Sequence, residues 1–122
     1  MAMTSTPIVN PIGAAIVKES AVSSTPDNDV RAGATTVYQV DVDNTANSAA
    51  TFIKMADAAS ITVGTTSPEY ILKVPASVRK VFTFDLAGVL FATGLSFYGV
   101  TTAALAGNTS PASACIVRVL CT

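Results

Sequence analysis

From residue 36 onward the chain alternates between apolar and polar positions. In TVYQVDVD (residues 36–43), Tyr38, Val40 and Val42 fall on one side, and Val37, Gln39, Asp41 and Asp43 on the other. A period of two is that of a β-strand with one wet face. ATFIKMAD (50–57) resumes the pattern, with Ile53 and Met55 opposite Phe52 and Lys54. The turn-forming stretch NTANSA between them predicts a hairpin whose two strands are neighbours in one sheet. EYILKV (69–74) is a further strand, stopped by Pro75. SVRKVFTFDL (77–86) sets Phe82, Phe84 and Leu86 against Val81, Thr83 and Asp85. LSFYGVTT (95–102) and SACIVRVLC (113–121) complete the series. In the last run Cys115, Val117, Val119 and Cys121 share a face, while Arg118 sits between Ile116 and Leu120 on the other. AAIVKESAVSS (14–24) predicts a first strand, with a helix left open for its centre, and STPDNDVRAG (24–33) is a loop dense in turn formers.

No stretch carries a long helical period. Seven to eight short antiparallel strands separated by turn signals predict an all-β protein: a single β-sandwich or jelly-roll-like domain over residues 13–122. Residues 1–12 read differently. Pro7 and Pro11 flank an apolar pair, and proline fixes φ and donates no hydrogen bond, so this segment is expected to be an extended N-terminal arm.

One phrase occurs twice: GTTSP at 64–68 and GNTSP at 107–111. Glycine frees the backbone, Ser and Thr bond locally, and Pro belongs at the start of a strand. The phrase reads as a strand-entry turn. It lacks the lysine and following helix of a phosphate loop.

Composition changes the picture in one respect. Half of the 122 residues are hydrophobic and only 12% are charged, about half the usual share. So few charges on a single-domain surface point to faces covered by other subunits. The seven Lys and Arg are dispersed, with Arg79–Lys80 the one adjacent pair. Nucleic-acid binding needs clustered positive charge, so no nucleic-acid partner is expected. Residues 86–107 are uncharged over a span-length window, but four glycines and several Ser and Thr argue for strands and turns, and no membrane association is expected.

Catalytic chemistry is not legible. The absence of histidine removes the commonest general base and metal ligand. Cys115 and Cys121, six residues apart on one strand, would stand roughly 20 Å apart. That is far beyond disulfide reach, so both are expected as buried thiols. Asp41 and Asp43 face the same way about 7 Å apart. DVDN faintly resembles the start of a calcium loop, but the loop's glycine and closing glutamate are missing. No enzyme activity, cofactor or metal is expected.

A resemblance carries the reading further. VDVDNTANSAATFIKMADAASITVGTTSPEYILKVPASVRKVFTFDLAGVLFATGLSF resembles small virion proteins of tailed phages, notably those of marine and cyanobacterial hosts. The matching positions are Asn44, Asp57 to Ser60, Thr62 to Thr66, Pro68, Val74 to Ala76 and Phe91 to Phe97, with Ala92 at the variable place. The resemblance covers residues 37–119 and is most like capsid decoration, or cement, proteins. It implies a β-domain on the outer capsid surface whose partners are the major capsid protein and copies of itself, as a homotrimer. Ile8, Val9, Pro11 and Ile12 of the arm are the expected capsid or neighbour contacts. Two other readings stay open: a tail-fibre, neck or tail-tip module binding a receptor or another tail protein, and a carbohydrate-binding module. The absence of Trp weighs against the latter.

Overall fold

The computed structural model describes Met3 and residues 15–122. Eight strands run in chain order: β1 (Ala15–Val22), β2 (Thr35–Asp43), β3 (Thr51–Asp57), β4 (Tyr70–Val74), β5 (Arg79–Thr83), β6 (Val89–Phe91), β7 (Leu95–Val100) and β8 (Cys115–Cys121). They form two antiparallel sheets. The larger has the order β1-β8-β2-β5, with β6 also alongside β2; the smaller is β4-β3-β7. The protein is an all-β sandwich, as the alternation predicted, and β1 excludes a helix in its segment.

The core lies between the sheets. β8 shows how periodicity builds it: Cys115, Val117, Val119 and Cys121 are fully buried, while Ile116, Arg118 and Leu120 are half-buried on the outer face. Val40 and Val42 from β2, Ile53 and Met55 from β3, and Leu95 and Phe97 from β7 meet them. Each such side chain contributes about 1.5–3 kcal/mol by leaving water.

Three expectations are corrected. The runs that become β2 and β3 are not a hairpin in one sheet; they lie in different sheets. The intervening turn is held by buried Asn44 and Asn47, which bend the chain across the sandwich. β3 is covered on both faces, which suits the centre of a second sheet. Val37 does not face water with Gln39 and Asp41. Its register slips against β8: Val37 is opposite Cys121 and Gln39 opposite Leu120, leaving Tyr38 as an extra residue. This bulge turns Val37 into the core, where it is fully buried. The roughly 2 kcal/mol of apolar burial exceeds the ~1 kcal/mol of one forgone ladder bond. Leu86 does not share the burial of Phe82 and Phe84; the strand ends at Thr83, and Leu86 projects from the following turn at 78% exposure.

The uncharged window 86–107 folds as β6, β7 and their connections, and no helix among the described residues is long and apolar enough to cross a membrane. The two copies of the repeated phrase precede β4 and β8, ending two and four residues before the strand begins. Their loops also approach each other: a side chain at Gly64 would touch Ala106, the residue before the second copy. Together their loops roof the β3–β7 part of the smaller sheet's outer face, packing Ile61, Ala58 and Val63 over Ala56, Tyr98 and Val100, while Ile71 and Lys73 of β4 stay exposed.

Candidate interaction face

With β3 and β7 roofed and only the short β4 left exposed beside them, the outer face of the larger sheet is the broadest bare surface among the described residues. The register sets out its rows. Ile16 of β1 lies beside Leu120 of β8, then Gln39 of β2, then Thr83 of β5. The next row runs Lys18, Arg118, Asp41 and Val81. A third brings Ile116, Asp43 and Arg79 together. These positions point outward because the alternate residues fill the core.

The face mixes apolar side chains with charges that answer one another. Ile16 is 69% exposed and Val81 49%; Leu86 and Leu90 add to this apolar exposure, Leu90 from β6. Arg79 grips Asp41 with two parallel bonds, Nε donating to Oδ1 at 2.9 Å and Nη2 to Oδ2 at 2.5 Å. That bidentate hold keeps the Asp41 carboxyl below the usual carboxylate range, with Arg118 adding a smaller push. Asp43 is lowered too, by bonds from the Thr45 hydroxyl and amide. The two carboxylates that resemble a calcium-loop start are thus engaged by Arg79 and Thr45. No group of three or more His, Cys, Asp or Glu suited to a metal forms among the described residues.

Between these rows lies a shallow hollow of about 140 Å³, lined by Ile16, Gln39, Asp41, Arg118 and Leu120. Arg118 Nη1 is covered there and has no hydrogen-bond partner among the described residues. A covered guanidinium donor with no acceptor is costly, and a docked partner's oxygen would relieve it.

A second cavity, of about 210 Å³, opens at the end of the sandwich beside Asn47, Thr51, Thr101, Thr109 and Pro111. Its lining has no ionisable side chain, so it offers no acid, base or nucleophile of activated kind. Both cysteines are buried and unpaired. Burial pushes the Cys115 thiol up to about 11, with nearby Asp43 adding to the rise, so at neutral pH it is a protonated, unreactive group.

No family model, curated protein or solved structure matches this chain.

The sequence-predicted contacts Ile8, Val9, Pro11 and Ile12 lie outside the described residues. Sequence reasoning did note Arg118 between two outward apolar residues, which is the centre of this face. It did not find the union of β1, β8, β2 and β5, because strand order is not written in alternation. It also missed Lys54 as a buried residue. The signal for that was weak but present: Phe52 and Ala56 share its face, so the lysine stands among apolar neighbours.

Proposed function

We propose that this protein is a virion structural protein of a tailed phage, a capsid decoration or cement protein that binds the assembled major capsid lattice and stabilises it. The observation that carries the reading is the outer face of the larger sheet: exposed Ile16 and Val81 around a hollow where Arg118 lacks an acceptor, with the neighbouring Asp41 already neutralised by Arg79. Such a face loses little by leaving water and gains an acceptor on docking. The resemblance of residues 37–119 to phage virion proteins supports the same reading, as does the low charge of the chain.

The mechanism is linkage. A protein that binds only the assembled shell stabilises that shell by its binding free energy, summed over many copies. Copies of the protein, as a homotrimer, and the major capsid protein are its proposed partners, and the arm residues Ile8, Val9, Pro11 and Ile12 would add contacts to a neighbour. The proposed location is the outer capsid surface.

The test is co-sedimentation with capsids stripped of this protein. Wild-type chain is expected to rebind in stoichiometric amounts, hundreds of copies per particle, and to raise the temperature of DNA release. The double variant Ile16→Asp with Val81→Asp is expected to remain folded, because both side chains already face water, and to lose at least tenfold in affinity. Removal of residues 1–12 should weaken attachment further. A few copies per particle would favour a tail module instead, and undiminished binding by the double variant would show that another surface docks.

A further inference from the structure

The roofed side of the sandwich contains an arrangement that the assembly reading does not use. Lys54 on β3 and Tyr98 on β7 are paired in register on the outer face of the smaller sheet. Both are covered: Lys54 is 0% exposed and Tyr98 1%. Lys54 Nζ lies 5.7 Å from the centre of the Tyr98 ring. It donates one hydrogen bond, to Ala104 O. Tyr98 Oη has no partner among the described residues.

The ammonium therefore has three donors and one acceptor, and the phenol beside it has a donor and none. Among the described residues Lys54 also lacks a counter-ion. The one salt bridge among the described residues joins Arg79 to Asp41. Residues 1–14 contain no Asp or Glu to supply another. A covered cation without a counter-ion is among the costliest arrangements a fold can hold, and two neighbouring groups with donors left over call for one shared acceptor.

Access is short. The cover over Lys54 is the turn 104–107, closed by Gly107 N donating to Ala104 O, and residues 102–106 are all exposed. Lys54 thus bonds directly to a turn whose residues are exposed. Desolvation alone lowers its pKa, and no carboxylate counteracts it. Tyr98 is raised, also by desolvation.

We propose that Lys54 and Tyr98 form a binding site for a small monovalent anion, a halide or a short carboxylate, held between the ammonium and the phenol hydroxyl beneath the 104–107 turn. The anion pairs with the lysine and accepts the hydroxyl. It thereby keeps charged the ammonium that donates to Ala104 O of the roof, and the roof's stability becomes dependent on anion concentration.

The test uses the full chain at constant ionic strength, replacing sodium gluconate, too large to enter, by sodium chloride, bromide or acetate. The melting temperature is expected to rise with the small anion, by about 5 °C for each tenfold increase once the site is mostly filled. Lys54→Met and Tyr98→Phe should each flatten that dependence. Crystals grown in bromide should show an anomalous peak within hydrogen-bond reach of both Nζ and Oη. If Lys54→Met fails to fold, Tyr98→Phe and the bromide map still decide. Ordered water in place of bromide, or equal anion dependence in wild type and variants, overturns the proposal. A response to halide but not acetate, or the reverse, supports the site and fixes which anion it takes.

Discussion

Asn44 does more for this fold than its place in a turn foretells. Its amide nitrogen donates to the carbonyls of Ala49, Val74 and Pro75. Its carbonyl oxygen accepts from Asn47 and Thr51, with the Cys115 thiol nearby. One side chain so closes the gap between both sheets at one end. Asn44→Ala is expected to cost about 3 kcal/mol, since it strands several buried partners at once, and urea denaturation would measure it. Asn44→Asp should also destabilise, because a carboxylate cannot donate to three carbonyls. Asp27 gives the pH prediction. Its carboxyl is pushed up to about 6, first by burial, then by the hydrogen bond to Glu19 and that residue's charge. A raised pKa means the fold holds the proton more tightly than the unfolded chain does. This contribution is complete below the unfolded value of 3.8 and is lost as pH rises through about 6. Relative to Asp27→Asn, wild type should therefore lose stability as pH rises from about 3.8 to about 6 and level off above that. A parallel pair of stability curves would show that the carboxyl is not shared. Neither Asn44 nor Asp27 was legible beyond its turn propensity, because their partners lie far along the chain.

Strand β2 shows what alternation can and cannot tell. β8 was read correctly on both faces, since Arg118 marks its outer side and the extra residues in its pairings fall on β1 and β2 rather than on β8 itself. β2 was read correctly at Val40 and Val42 but not at Val37, because the bulge at Tyr38 depends on its neighbours. Two strands share one side of β2: β6 pairs with Thr35–Val37 and β5 with Gln39–Asp43. The turn between them sits at the bulge, where Phe84 N bonds to Tyr38 O. Gly88 makes that turn possible. Its φ is +72°, and a Cβ there would come within 2.6 Å of Thr36 Cγ2 and 2.9 Å of the Tyr38 ring. Gly33 has a similar φ of +82° but open space around it. Gly33→Ala is expected to cost about 1 kcal/mol for the backbone alone. Gly88→Ala should cost more, about 2–3 kcal/mol, with the difference being the collision. Equal losses would mean that the turn relaxes freely. The predicted β2–β3 hairpin failed for a related reason: turn chemistry announces a reversal, but not whether the chain returns to the same sheet.

The molecule as a whole has two unlike sides. One sheet lies open, carrying apolar residues and one ion pair; the other is covered along β3 and β7 by the loops that hold the repeated phrase. The sandwich architecture was legible because it follows from strand count and composition. The unlikeness of the sides was not, because loops of Ser, Thr, Gly and Ala give no sign of which surface they will cover. It nonetheless makes sense of the sparse charge, since apolar and neutral side chains are divided between a loop-sealed layer and a surface fit for company. An object with one bare flank and one thatched flank has a front and a back. If it settles on a shell by its bare flank, every copy would present its thatch to the surrounding medium, and a short tag spliced at Ala59 or Ser60 would be displayed outward in a regular array.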